Sequence, residues 1–244
     1  MADSGSTPDQ NMTQWVRRTG LVAFLVIGIA IWMMASFKYE PRDLPHGFRS
    51  PVLAIELARN TAEVRQIAGD LSDSSREAIR ANIKADFVFI ASYWSLLVLM
   101  SGLLGRGSGV RYTWGAVIAA VCVTAGAAFD VAENLHILTL LDVQLRDTSA
   151  QMVEAVRSSS LAKWALIFIA NGILSQLFVA GRSWITFVGA LFLLSAMLGL
   201  IGLFHNPAIE WAFSVMAAGI VAVSLLFTIS PAKFLRRFLP LKKM

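Results

Sequence analysis

Two carboxylates and an amide, Asp130, Glu133 and Asn134, stand inside an apolar run. It reads Thr124-Ala125-Gly126-Ala127-Ala128-Phe129 before them and Leu135-His136-Ile137-Leu138-Thr139-Leu140-Leu141 after. Their i, i+3 and i+4 spacing puts all three on one face of a helix. Carboxylates so placed can act as a general base or as ligands for a cation. Each charge in a lipid-spanning helix costs about 2.5–3.5 kcal/mol on insertion scales, so partners must offset it. Asp86 and Tyr93, seven apart, share a face of a second helix. Lys163, Ile167 and Asn171 form a stripe at steps of four on a third. The expected pairing sets Lys163 between Asp86 and Asp130 or Glu133. One lysine against three carboxylates leaves excess negative charge, so a carboxyl is protonated or a cationic ligand sits there. The candidate cluster is Asp86, Tyr93, Asp130, Glu133, Asn134 and Lys163. The competing expectation is an ion-pair network that only locks the helices together.

Other chemistries find less support. Glu133-x-x-His136 has the spacing of carboxylate-bridged metal bundles, but those need two such pairs. His136, His205 and Glu210, with Asp86, are the remaining candidates for a mixed site. The chain has three histidines, one of them (His46) in a loop, and the expectation is no metal. No G-x-S-x-G elbow, H-E-x-x-H pair or phosphate loop is present, and no cofactor is implied. The single cysteine, Cys122, excludes an intrachain disulfide and reads as a small packing residue.

The elements that position these residues follow from composition. Apolar residues make up 56% of the chain and charged residues 15%, too apolar for a soluble domain. Six stretches are long enough to span a bilayer, near 21–37, 86–104, 113–141, 161–180, 184–204 and 208–229. The first reads as a retained span, because Trp32-Met33-Met34 occupies the place of a cleavage site. The fold class is all-α, a bundle of six transmembrane helices with a short external helical cap. The expected segments are a disordered cytoplasmic tail (1–16), span one (17–37), the cap (38–85), spans two to six (86–230) and a basic cytoplasmic tail (231–244). Gly199, Gly202 and the run Gly126-Ala127-Ala128 read as close helix contacts, with span three as a central helix.

Charge sets the orientation. Arg17, Arg18, Arg106, Arg111, Arg182 and the C-terminal Lys233, Arg236, Arg237, Lys242 and Lys243 all fall on one side of a six-span chain. The positive-inside rule places that side, with both termini, in the cytoplasm. Topology thus accounts for the net charge of +5, and nucleic acid is not an expected partner. Tryptophans at both boundaries (Trp15, Trp114 and Trp184; Trp32, Trp164 and Trp211) form an aromatic belt.

The 38–85 segment is then external and far longer than a simple connection. Ser50 is the expected N-cap of a helix with Pro51 at its first position, and Thr61 the cap of a second. In the first, amphipathic helix Val52, Ile55, Leu57 and Ala58 alternate with Glu56 and Arg59; in the second, Glu63 and Arg65 lie on the wet face. After a loop at 70–75, Ser74 or Ser75 caps the helix entering span two.

Across Pro51–Lys163 the order Ile55-Glu56-Leu57-Ala58, Asp86-Phe87-Val88-Phe89 with Tyr93, Asp130-x-x-Glu133-Asn134 and Lys163-Trp164 resembles a group of uncharacterised bacterial multi-pass inner-membrane proteins. The resemblance covers about half the chain and implies a bacterial inner membrane and no activity. The functional expectation is an outward-facing acidic site that binds or processes a lipid-like or small cationic ligand at the outer leaflet. Two alternatives stand beside it. One is a structural or partner-binding subunit, with spans five and six as an interface to another protein or a second copy. The other is a small ion- or proton-coupled transporter, against which the polar-free inner halves speak. Membrane lipids are partners in every case.

Overall fold

The computed structural model describes residues 10–37, 44–68, 73–106, 110–142, 147–178, 184–205 and 207–238. Among them every regular element is helical. The α-helices are α1 (Gln10–Ser36), α2 (Pro51–Glu56), α3 (Thr61–Ala68), α4 (Asp73–Leu104) and α5 (Val110–Asp142). They continue as α6 (Ala150–Leu174), α7 (Trp184–Gly202), α8 (Pro207–Ile229) and α9 (Pro231–Phe238). Six of these, α1 and α4 to α8, are long and apolar enough to cross a membrane. The chain is an all-α, multi-pass bundle.

Packing follows the apolar faces. α1 lies against α4 and α8, α5 against α4 and α6, and α7 against α6 and α8. One apolar core gathers the end that carries both termini, where Phe178, Phe227, Phe234 and Leu235 are buried together. The second joins cap residues Phe48, Ile55, Val64 and Ile67 to Ile137, Leu140 and Leu141 of α5, Val153 and Val156 of α6, and Ile209 of α8. Beyond Asn134, Ile137, Leu140 and Leu141 of α5 are buried in this second core, while Leu135 stays exposed.

Several boundaries differ from expectation. α4 begins at Asp73, so Ser74 and Ser75 lie within the helix. α6 begins at Ala150, eleven residues before the expected start of span four, and Ser149 caps it by accepting from Met152 N at 3.2 Å. Both helices project past their apolar stretches because the cap gives those turns something to pack against. α1 starts at Gln10, inside the expected tail, and the rest of that tail lies outside the described residues. The expected basic tail contains α9, held by buried Phe234 and Leu235. α5 is not the central helix: 28% of its apolar window is buried, against 50% for α4 and α6.

The cap is built from local hydrogen bonds. Ser50 accepts from Leu53 N at 3.3 Å and Pro51 opens α2. Asn60, not Thr61, caps α3: its side-chain oxygen accepts from Glu63 N at 3.0 Å, and Glu63 in turn accepts from Arg59 N at 2.8 Å. The cap is one residue earlier than expected, and it differs from a capping box in that Glu63 takes the N–H of Arg59, the residue before the cap. Glu63 also meets His46 Nε2 at 3.2 Å, so it is not a free surface charge. Glu210 at the start of α8 accepts from Arg49 N at 2.8 Å and Ser50 N at 3.4 Å, tying the entry of α2 to the bundle.

Candidate functional site

Close approach of α5 and α6 sets the site. Gly126 faces α6 where a β-carbon would lie 3.2 Å from Ile167 and 3.5 Å from the Lys163 carbonyl, so a small residue lets the helices meet there. One turn further along α5, Asp130 and Glu133 point at Lys163. Its Nζ lies 2.6 Å from Glu133 Oε1, 3.1 Å from Asp130 Oδ1 and 3.4 Å from Glu56 Oε2. Lys163 is 2% exposed and Glu133 wholly buried. The ammonium donates hydrogen bonds to Asp130 and Glu133 and pairs with Glu56 by charge. It also sits over the Trp164 ring at 4.3 Å.

The remaining acceptors are shared out. Tyr93 OH donates to Asp130 Oδ2 at 2.7 Å. Asp86 does not reach Lys163; Asn134 Nδ2 donates to its Oδ2 at 2.8 Å. Trp164 Nε1 donates to Glu56 Oε2 at 3.0 Å. Glu133 Oε2 is buried with no hydrogen-bond partner among the described residues.

Two residues change role relative to the sequence reading. Glu56 was expected among the polar residues of an amphipathic cap helix; instead the cap carries it into the bundle as a third carboxylate on Lys163. Trp164 was expected in the lipid belt; its ring packs on Phe168 and Phe213 and its N–H serves the cluster. Trp32, Trp114 and Trp211 are exposed, as a belt requires.

Beside the cluster lies a cavity of about 190 Å³. An engineered apolar cavity of about 150 Å³ admits benzene, so this space takes a head group and the first few carbons of a chain. Its polar end presents Glu56, Asp86, Tyr93, Asp130, Asn134 and Lys163, with Asn82 one turn before Asp86. Its apolar walls come from Phe89, Leu96 and Leu97 of α4, Ile167 of α6, and Met216 and Ile220 of α8. Of the six expected cluster residues only Glu133 stays out of the wall, behind Lys163. Val52 and Glu56 bring the cap into the lining.

The metal candidates do not converge, and among the described residues no group of three histidine, cysteine or carboxylate side chains could hold an ion. His136 Nδ1 lies 3.4 Å from Ser159 Oγ, Glu210 is engaged with the cap, and His205 sits in the turn before α8. Cys122 is half-buried and alone.

The fold and these residues define a multi-pass helical membrane protein with a charged cavity beneath a helical cap. Searches of protein-family models, curated proteins and solved structures find no match to the chain.

Proposed function

We propose that the cavity binds an amphiphile with a cationic head group, taken from the leaflet nearest the cap. The observation that carries this reading is the division of the cavity wall. Three carboxylates, Glu56, Asp130 and Glu133, surround one ammonium, and a fourth, Asp86, faces the cavity with no cation of its own. A cationic head supplies the missing charge, while an alkyl chain is matched by Phe89, Leu96, Leu97 and Ile220.

The arginine and lysine distribution supports cytoplasmic termini, hence a cap and cavity at the outer leaflet. The motif order supports a bacterial inner membrane. The second reading, a bundle locked by ion pairs and used as a partner-binding subunit, draws on Glu133, which pairs with Lys163 from outside the cavity lining. That pair serves as a lock in both readings.

The test uses purified protein in a neutral detergent. A long-chain alkylamine should raise the melting temperature, and the alcohol of equal chain length should not. Asp86→Asn should fold normally and lose the response, since Asp86 contributes no ion pair to the bundle. Equal responses to amine and alcohol, or an undiminished response in Asp86→Asn, would leave only the lock.

A further inference from the structure

Asn171 lies two turns below Lys163 on the same face of α6, with Ile167 of the cavity wall between them. Eight residues at 1.5 Å each put it about 12 Å deeper. It is fully buried. Its Nδ2 donates to the sulfur of Met216 at 3.1 Å, and its Oδ1 has no partner among the described residues. Whichever way the amide is turned, one end is unpartnered and the other meets only a thioether, a weak acceptor. A buried amide so poorly served is costly, and leucine would fill the position at no such cost.

Met216 is the link. Its side chain touches Asn171 and lines the cavity. Methionine is unbranched and turns readily about three bonds, so it can leave this position without moving a helix.

We infer that Asn171 is a second polar contact of the ligand site, screened by Met216 when the cavity is empty. The ligand class narrows accordingly. It is a long-chain amine that carries a hydroxyl, ester or amide oxygen far enough along the chain to reach the level of Asn171, about 12 Å below that of Lys163 along α6. The ammonium occupies the Asp86 end, the chain displaces Met216, and the deeper oxygen takes the Asn171 amide. This inference rests on the proposed cationic-amphiphile reading.

The experiment compares two probes by calorimetry on the full chain in neutral detergent: a plain alkylamine, and the same amine with a hydroxyl at the far end of a chain long enough to reach Asn171. The hydroxylated probe should bind about fivefold tighter, the worth of one hydrogen bond to a buried polar group. Asn171→Leu should erase that preference, so that the two probes bind alike. Met216→Phe, which fills the passage with a bulkier ring, should do the same without touching the amide. If the plain amine binds and the hydroxyl adds nothing, or if the preference survives in Asn171→Leu, Asn171 is only an ill-matched core residue and the inference is overturned. If Asn171→Leu fails to fold, Met216→Phe decides in its place. If neither amine binds the wild-type protein, the cationic-amphiphile reading itself falls, and this inference with it.

Discussion

The carboxylate of Glu56 lies 3.4 Å from Nζ of Lys163, so a residue of the cap completes a charge cluster inside the bundle. The same carboxylate oxygen accepts the Trp164 indole N–H at 3.0 Å. A short helix of six residues cannot hold its own shape in water. α2 is held by this contact at one end, by Glu210 at the other, and by Leu53 and Ile55 buried between.

Glu56→Gln tests that arrangement. The amide keeps a hydrogen bond to Trp164 and loses the charge on Lys163. Amide hydrogen exchange should rise across 50–68 and stay unchanged in α7 and α8. A rise spread evenly over the bundle would mean that the contact supports the whole fold rather than the cap.

Lys163→Met removes the only cation from a buried cluster. Three carboxylates then face one another without compensation, and breaking a buried pair in this way costs about 3–5 kcal/mol. Denaturation in detergent should show that loss. Adding Glu133→Gln should recover part of it, because Glu133 then no longer needs a cation. No loss in the single variant would show that the three carboxylates do not depend on Lys163.

Gly199 and Gly28 form a matched pair. A β-carbon at Gly199 would run into the Phe168 ring, whereas at Gly28 nothing lies within 4 Å. Gly199→Val should lower stability by about 1–3 kcal/mol through overpacking. Gly28→Ala should be neutral or stabilising by up to about 1 kcal/mol, since glycine is the poorer helix former. Melting temperatures of the two variants separate these outcomes, and equal losses would contradict the packing described between α6 and α7.

Much of the architecture was legible because lipid makes strong demands on composition. Six long apolar runs announce six helices, and charges within such runs announce one another. Helical spacing put Asp130, Glu133 and Asn134 on one face, and the structure brings all three to the Lys163–Asp86 region. Which acceptor meets which donor was not legible. Asp86 takes Asn134 instead of Lys163, a choice set by how α4 is rotated against α5, and no single-chain periodicity carries that information.

Glu56 was missed for a different reason. Treated alone, α2 is a surface helix whose one charge belongs in water. Yet the run from Val52 to Ala58 holds a single charge among apolar residues, the same signature that singled out Asp130. The start of α6 was hidden by Gln151, Glu154, Arg157 and three serines, which read as a loop. Val153, Val156, Ser160, Lys163 and Ile167 nevertheless recur at helical steps, and all are buried. Trp164 shows the limit of the belt rule: a tryptophan near a boundary can turn inward when an acceptor waits there.

The cap-to-bundle contact also imposes an order on biosynthesis. Glu56 leaves the ribosome long before Lys163, and α4 and α5 are made in between. At about 5–20 residues per second the delay is on the order of ten seconds. Through that interval Glu56 lacks its cation, and Asp130 and Glu133, when they emerge, lack theirs. Arrival of the fourth membrane helix brings all three their one shared cation. Lys163 is thus a late keystone, and a nascent chain that stalls before it presents a surplus of unneutralised acid to whatever machinery surveys unfinished membrane proteins.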